Sequence, residues 1–323
     1  PIAAKYDAAV HAKKAQDAGA RIEIDAVAHR VEVDNEGLVT RILFKRPDNS
    51  EHEAVGRIFV VAAHAIETPK LLLMSRTDAM PNGIANSSDQ VGRNLMDHPT
   101  QVSLCLARDP VWPYRAPVET SGIETYRDGD FRRDRAAFRT PIGNDGWSFG
   151  GTLPTDMSIN LVREEGLLGP ELREVVKDRT QRQVRLATLL EQLPDPENRV
   201  TLSEDRTDAL GLPHPRINYR VDDYTLRGRD EAITMADQVF DAIGATERQH
   251  VEVLFGAGHI IGTYRMGTDP ATSVVNPQGR AHDHPNLYLV GAGVFPTSGT
   301  ANPTMTLAAL AMWTGETIRG ELG

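Results

Sequence analysis

Two polar residues in the last quarter of the chain have the types and the setting needed for proton chemistry. His259 begins the segment HIIGTYRMG directly after the glycine-containing loop FGAG, and Asn302 begins NPTMTLAALAM. An imidazole with an unperturbed pKa of about 6.5 accepts a proton near neutral pH. A histidine taken alone is more often a hydrogen-bonded structural residue, so the prediction of a catalytic base depends on the two segments together.

Removal of a hydroxyl proton leads to oxidation only when an electron acceptor takes the accompanying hydride. No protein side chain serves as that acceptor, so a redox cofactor is predicted. The helix that starts at Pro303 suits such a group, because the free amides of Thr304 and Met305 at its first turn favour negative charge. The alternative interpretation is a well-capped helix without a ligand.

Two weaker patterns suggest other chemistry. His282, Asp283 and His284 have side chains that can bind a metal, but the spacing of these consecutive residues provides no convincing third ligand. An ordinary loop is therefore favoured and no metal is predicted. The segment GWSFG around Ser148 matches GxSxG, yet the sequences on both sides are turn-like where a hydrolase needs a strand and a helix. A serine hydrolase is therefore disfavoured.

The composition argues against several classes of protein. The 323 residues, 40% of them hydrophobic, suffice for roughly two domains with buried cores. A formal net charge of -10 disfavours a nucleic-acid partner. No apolar run reaches the roughly 20 residues of a membrane span. The single cysteine, Cys105, excludes an internal disulfide and any iron-sulfur cluster supplied by this chain alone.

Hydrophobic periodicity predicts an α/β arrangement at both ends of the chain. A first helix ends at Gly19, alternating residues from Ile22 predict a hairpin with LVTRILF, and the apolar run RIFVVAA predicts a strand buried on both faces before the helix IETPKLLLM. Near the end, the strand NLYLVGA leads through a glycine-rich turn to a helix from Pro303 to about Arg319.

The middle of the chain, from about Val91 to Thr246, is richer in proline, glycine and charge. Short strand-like pieces such as RQVRLATLLEQ, NRVTLS and PRINYRV predict an antiparallel domain. A helix capped by Asp223 is predicted to close it. No GxGxxG turn for a dinucleotide occurs between Pro1 and Gly323, so we expect this chain to be the C-terminal part of something longer.

Several motifs in order resemble the glucose-methanol-choline (GMC) family of FAD-dependent oxidoreductases. They are VVAAHAIETPKLLLMS, VGRNLMDHP, the ENRVTLS region, HIIGTYRMG, NLYLVGAGVFPTSG and NPTMTLAALA. The resemblance implies an α/β fold in which residues 1–95 form part of a Rossmann-like FAD-binding domain. Residues 96–246 would form an α+β substrate domain with an antiparallel sheet. Residues 247–323 would return to the FAD-binding domain with the catalytic pair.

The resemblance also assigns roles to individual residues. His259 falls on the family's catalytic histidine and Asn302 on the second residue of its His/Asn or His/His pair. The residues expected to approach FAD are Ala28 at the adenine end, Ala63 and Ala65 at the adenosine side, Gly291 and Ala292 at the phosphate and ribityl region, and Pro303, Thr304 and Met305 at the flavin ring. Family members often have valine at Ala28 and glycine at His64, and the main-chain contact expected of Ala28 tolerates the first change.

The motif FPTSGTANPT most resembles a bacterial branch that oxidises sugars or polyols. This implies proton transfer to His259, hydride transfer to flavin N5, and electrons passed to a cytochrome c or another carrier. It also implies a periplasmic location, with membrane association through a partner and a small export subunit. Two alternatives stay open: a noncatalytic fragment or subunit that completes another chain's fold, and an oxidase that reduces oxygen.

Overall fold

The computed structural model describes residues 7–115, 117–148 and 153–323, which form six α-helices and thirteen strands. The helices are α1 (Ala9–Asp17), α2 (His64–Met74), α3 (Pro154–Glu164), α4 (Gly169–Arg182), α5 (Asp223–Ala242) and α6 (Thr304–Leu322). The strands are β1 (Val27–Val33), β2 (Val39–Lys45), β3 (Glu51–Val55), β4 (Phe59–Val61), β5 (Pro99–Leu106), β6 (Glu119–Ile123), β7 (Phe138–Gly143), β8 (Gln183–Leu190), β9 (Arg199–Thr207), β10 (Pro213–Asn218), β11 (Thr246–His250), β12 (Phe255–Gly256) and β13 (Leu287–Leu289).

An α/β layer joins segments that are far apart in sequence. β4 pairs in parallel with β13, with Phe59 opposite Leu287 and Val61 opposite Leu289. These four side chains belong to one buried core cluster together with residues of α2. Val60, however, is 46% exposed, so the described residues bury only one face of the strand that was predicted to be buried on both. Side chains alternate along a strand, and in the described residues only one face of β4 packs against the core.

The predicted hairpin exists as β1 and β2, which pair antiparallel, and β3 adds a third strand. It starts at Val27 rather than at Ile22, because Ile22 and Ile24 lie outside the strand and are 50% and 71% exposed. β3 has the sequence EHEAV and every residue in it is exposed. The sequence did not predict this edge strand, since it lacks the apolar alternation that marks a half-buried strand.

The middle of the chain folds around an antiparallel sheet in the order β11-β5-β8-β7-β6, with β12 also paired to β5. This confirms the predicted antiparallel domain. All eight residues of β5 are buried, as expected for a central strand. The sequence did not predict β5, nor the helices α3 and α4 that lie between β7 and β8. The domain boundaries at residues 95/96 and 246/247 stay a prediction.

The two faces of this sheet carry different kinds of residue, and β8 shows why. Leu186 and Leu190 face α5, where they pack in two buried clusters with Phe240 and Met235 respectively. Because successive side chains on a strand point to opposite faces, Arg185 and its alternate neighbours Ala187 and Leu189 point away from α5. That second face lines a cavity.

The helix α5 is capped one residue earlier than predicted. Asp222, not Asp223, adopts the extended capping conformation, and its carboxylate accepts a hydrogen bond from the Thr225 amide. Asp223 lies in the first turn, where a negative charge also suits the helix dipole. Among the described residues, no helix combines the length and apolarity that crossing a membrane requires.

Replacing Gly228 with alanine should destabilise the protein. An added Cβ would lie 2.7 Å from the Cβ of Ala136 and 2.9 Å from its carbonyl oxygen, where α5 meets the chain before β7. Overpacking of this kind costs about 1–3 kcal/mol, which thermal unfolding would measure. The control is Gly315→Ala in α6, where nothing lies within 4 Å of the new Cβ. A gain of about 0.5–1 kcal/mol is expected there from helix propensity, so equal losses in both variants would refute the contact.

Candidate active site

A buried carboxylate fixes the position of His259. Asp97 lies two residues before β5 and is 6% exposed. Its carboxylate accepts hydrogen bonds from the backbone amides of His98 (2.7 Å), His259 (2.8 Å) and Gly258 (3.2 Å). Gly256 has to be glycine here, because a Cβ at this residue would lie 2.6 Å from Oδ2 of Asp97. The carboxylate therefore joins the start of β5 to the segment that carries the predicted base.

The predicted catalytic pair lies together in the structure. Nδ2 of Asn302 lies 3.5 Å from Nε2 of His259. His259 is half-buried, whereas Asn302 is exposed just before the N-terminus of α6. The imidazole and the carboxamide thus converge on one point, as expected for groups that contact the same oxygen, although their catalytic roles stay predictions.

His98 contacts the other nitrogen of His259, which the sequence did not predict. The two Nδ1 atoms are 3.1 Å apart, and the rings meet edge to face at 84° with their centroids 5.0 Å apart. His98 is fully buried. The sequence does not predict this contact, because no local pattern shows that the DHP segment reaches residue 259.

Burial controls the charge of both imidazoles. Desolvation, with a smaller contribution from the nearby His259, lowers the pKa of His98 to about 4, and the charge of Asp97 and the backbone of Ser298 and Gly299 offset only part of this effect. Desolvation also lowers the pKa of His259 below its usual 6.5, against the opposing charge of Asp97. Both rings are therefore neutral near neutral pH.

A second group of polar residues, in which Gln192 and Ser298 are buried, supports this site. Oε1 of Gln192 accepts hydrogen bonds from the Asp97 amide (3.1 Å) and the Tyr219 hydroxyl (2.9 Å). The backbone amide of Gln192 donates a hydrogen bond to Oγ of Ser298 (2.9 Å), and the Ser298 hydroxyl donates one to the backbone carbonyl of Gln192 (3.0 Å). Burial raises the pKa of Tyr219 to about 12, so its hydroxyl keeps its proton. Gln192 thereby couples Asp97 to the turn that precedes Asn302.

Asp97, His98 and His259 also form a group whose ligand atoms lie within 4.8 Å of one another. Those atoms already have partners, because the Asp97 oxygens accept three backbone amides and the two histidine Nδ1 atoms bond to each other. A metal ion would have to break this network at several points.

His259 and Asn302 lie in the wall of a cavity of about 280 Å³ on the face of the sheet opposite α5. Polar and apolar residues line the cavity together, among them Thr100, Glu119, Arg185, Leu189 and Phe255. Glu119 pairs with Arg139 at 2.8 Å, and Arg185 pairs with Asp145 at 2.7 Å. A carboxylate and a guanidinium are thus both held in place in the wall.

The residues predicted for the cofactor fall into three places. Ala63 and Ala65 follow β4, and Gly291 and Ala292 follow β13, so both groups lie at the carboxyl edge of the same parallel strand pair. This edge is where open α/β sheets bind ligands. Ala63 is exposed, whereas Ala65 is buried and its carbonyl accepts the Thr263 hydroxyl at 2.6 Å.

The other predicted contacts lie elsewhere. Ala28 is an exposed residue of β1 opposite Phe44, in the antiparallel sheet rather than at the parallel edge. Pro303 is buried as the N-cap of α6, and Thr304 and Met305 are exposed, Met305 at 83%. The amides of the first turn have no acceptor within the helix, which leaves them free to meet an anionic ligand.

The weaker sequence patterns have structural explanations. His282 hydrogen-bonds to Ser273, and Asp283 accepts a hydrogen bond from Ser87. His284 hydrogen-bonds to the backbone of Ala85 and Gly37. The three side chains therefore point in different directions and stabilise loops. The GWSFG match is only partly described, since Phe149 and Gly150 lie outside the described residues. The hydroxyl of Ser148 donates to Asp145.

A serine-histidine-aspartate arrangement that the sequence did not predict lies in the sheet. Oγ of Ser103 lies 2.9 Å from Nδ1 of His250, and Nε2 of His250 lies 3.2 Å from Asp237. Ser103 is 1% exposed in the central strand β5, where no substrate carbonyl can approach. This arrangement therefore stabilises the contact between β5, β11 and α5.

Comparison with known proteins identifies relatives of this chain. Two protein-family models, both described as GMC oxidoreductase, match this chain, one over residues 4–100 and the other over residues 194–311. The fructose dehydrogenase large subunit of Gluconobacter japonicus is 39% identical over 322 residues, which are 100% of this chain and 58% of the relative. Paromamine 6'-oxidase of Streptomyces fradiae is 30% identical, and the match covers 86% of this chain and 48% of that protein.

A solved structure of formate oxidase from Aspergillus oryzae RIB40 has a TM-score of 0.65 at 16% identity, covering 92% of this chain and 60% of that one. At this identity the likeness shows the fold alone, and it confirms the predicted fold class. The chain spans about half the length of the curated relatives it matches.

The low pKa of His98 makes the stability of the protein depend on pH. Between 6.5, its usual pKa, and about 4, its value in the folded protein, the unfolded chain binds a proton that the folded chain does not. Stability should therefore fall by about 3 kcal/mol as the pH falls through this window, and then level off. Urea unfolding between pH 7 and 4 would measure the slope, which should become shallower in His98→Asn. An unchanged slope in that variant would contradict the assignment.

Proposed function

Because this chain belongs to the GMC oxidoreductase family, we propose that it carries the catalytic part of an FAD-dependent enzyme that oxidises a hydroxyl group of a sugar or polyol. The observation that carries the proposal is the convergence of His259 and Asn302, 3.5 Å apart, in the wall of a cavity. A base and an amide that meet at one point suit a single substrate oxygen.

His259 takes the hydroxyl proton in this proposal. Burial lowers its pKa, so its imidazole is neutral and basic at neutral pH. The amide group of Asn302 lies beside Nε2 and orients the same oxygen. The main contribution of this chain is to hold the substrate hydroxyl against a fixed base. The substrate then loses its translational and rotational entropy when it binds, and not in the reaction step.

The chain also has residues that fit one part of FAD. The small residues Ala63 and Gly291 leave the backbone accessible at the carboxyl edge of β4 and β13, and the first turn of α6 offers free amides for a developing negative charge. When bound, the flavin supplies the hydride acceptor that no side chain provides. The solved formate oxidase with the same fold is described with FAD.

The cavity wall favours a substrate with several hydroxyls. Glu119 and Arg185 each have a salt-bridge partner that holds the side chain in place. The remaining acceptor sites of the Glu119 carboxylate and donor groups of the Arg185 guanidinium can then hydrogen-bond to neighbouring hydroxyl groups of a substrate. The names of the relatives fit this chemistry, because they include a fructose dehydrogenase subunit and an oxidase of paromamine. D-Fructose, other sugars and simple polyols form the panel of substrates to test.

A further segment or chain is proposed to complete the FAD-binding domain. Apolar side chains are exposed along α6, with Met305 at 83%, Met312 at 74% and Trp313 at 50%, and Val60 on β4 is 46% exposed. An apolar surface of this kind marks a contact site. We place the mature enzyme in the periplasm with a small export subunit, membrane association through a partner and a cytochrome c acceptor, as the resemblance to the sugar dehydrogenase branch implies.

Glu119→Gln should raise the KM for a sugar or polyol substrate by about two- to tenfold, with a smaller effect on kcat, because one charged hydrogen bond to a hydroxyl is weakened. The control is Glu124→Gln. Both carboxylates bond to Arg139, at 2.8 and 2.7 Å, but only Glu119 lines the cavity. Steady-state kinetics would compare the two variants, and an equal rise in both would assign the effect to Arg139 rather than to substrate binding.

His259→Ala should leave flavin bound but slow its reduction by substrate at least about tenfold, since a general base is lost. Stopped-flow absorbance of the flavin in the full-length protein measures this rate. His282→Ala is the control, because His282 is also a half-buried histidine but bonds to Ser273 in a loop away from the cavity. Reduction as fast as in the unchanged protein would reject His259 as the base.

The same preparation separates the alternatives. A protein that purifies without flavin absorbance, and gains none with FAD, would support a noncatalytic subunit. Steady hydrogen peroxide production in air, faster than reduction of a dye or a cytochrome c, would replace the dehydrogenase with an oxidase. Reduction by simple primary alcohols but not by sugars or polyols would overturn the proposed substrate class.

A further inference from the structure

The contact between His98 and His259 determines which nitrogen of His259 carries a proton. Their Nδ1 atoms lie 3.1 Å apart, close enough for one hydrogen bond. A neutral imidazole has one protonated and one unprotonated nitrogen. Since burial keeps both rings neutral, only one hydrogen lies between them, and it belongs either to His98 or to His259.

The two arrangements have opposite consequences for catalysis. If His98 donates, Nδ1 of His259 accepts and the proton of His259 lies on Nε2, which then cannot act as a base. If His259 donates, its Nε2 has a free lone pair next to Asn302, and the proton of His98 lies on its own Nε2. Only the second arrangement leaves a base directed at the substrate position.

The contact between Asn302 and His259 favours the second arrangement. Nδ2 of Asn302 can only donate a hydrogen bond, and it lies 3.5 Å from Nε2 of His259, so that nitrogen accepts and carries no proton. Nε2 of His98 is buried and has no hydrogen-bond partner among the described residues. The backbone of Ser298 and Gly299 raises the pKa of His98, as hydrogen-bond acceptors near its ring do.

We propose that His98 is a positioning residue that accepts the Nδ1–H bond of His259 and thereby keeps Nε2 of His259 unprotonated and directed at the substrate hydroxyl. This inference rests on the proposed function, because it presumes that His259 is the base. Asp97 fixes the backbone of both histidines, and Gln192 fixes Asp97. The remaining charged groups facing the cavity, Glu119 and Arg185, are each paired with another residue.

His259 receives the substrate proton in this arrangement. The substrate O–H bond breaks and a new N–H bond forms at Nε2 of His259, and a bound flavin would supply the acceptor for the hydride that carries away the electron pair of the substrate C–H bond. His259 becomes an imidazolium whose Nδ1–H bond still donates to His98. His98 stays neutral, and the charge of Asp97 stabilises the imidazolium.

Two substitutions at residue 98 separate the hydrogen bond from the packing. Asparagine places an oxygen acceptor near the position of Nδ1, whereas leucine has a similar size and no acceptor. In the flavin-loaded full-length protein, His98→Leu should slow the limiting rate of flavin reduction by about tenfold, with the substrate concentration for half-maximal rate changed less than about twofold. His98→Asn should retain the rate within about threefold. His250→Leu, which removes a histidine bonded to Ser103 and Asp237, is the control for loss of a packed imidazole.

A second readout does not require turnover. Nitrogen NMR of histidine-labelled resting protein, with the His259 signals assigned by their loss in His259→Ala, distinguishes a protonated from an unprotonated nitrogen. We expect a protonated Nδ1 and an unprotonated Nε2 in the unchanged protein and in His98→Asn, and a mixture of both forms in His98→Leu.

The outcomes separate this inference from the proposed function. A protonated Nε2 of His259 in the unchanged protein would overturn the inference, even if His98→Leu fails to fold. An equal rate in His98→Leu and the unchanged protein, together with a slow His259→Ala, would also overturn it while leaving His259 as the base. A fast His259→Ala would reject the proposed function itself, whatever the NMR signals show.

Discussion

The site depends on one buried carboxylate. Asp97 receives three backbone amides from two segments that are distant in sequence, and Gly256 leaves the space that its oxygen occupies. Together with the pairing of β12 to β5, this junction fixes His259 relative to β5 and the cavity. An ionised carboxylate that accepts several amides is stable away from water, because hydrogen bonds replace its hydration. The junction thus stabilises the fold and also positions the proposed base.

The antiparallel sheet separates stability from recognition by its two faces. On β8, Leu186 and Leu190 form a core with α5, while Arg185 and Leu189 face the cavity. Residues of the cavity face can therefore change without loss of the core. This arrangement is consistent with relatives whose names specify different substrates, such as fructose and paromamine, on one fold.

The sequence predicted the features that local patterns encode. The hairpin, the strand β13, the helices α5 and α6, and the segments with His259 and Asn302 all have hydrophobic periodicity, caps or motifs of their own. It did not predict the contact of His98 with His259 or the lining of the cavity by Glu119 and Arg185, because these depend on contacts between residues far apart in the chain. It also missed β3, whose polar residues carry no periodic signal, and placed Val60 in a core that the described residues do not provide.

The parallel pairing of β4 with β13 has a consequence for folding kinetics. Each strand has only three residues, and the complete antiparallel sheet lies between them in sequence. Such a pair gains little stability by itself and closes a very long loop, so it is expected to form late, after the local hairpins and helices. Until the ribosome has released β13, the apolar side chains of β4 and α2 lack the cover that β13 provides, and such transiently exposed apolar surface favours aggregation of the nascent chain.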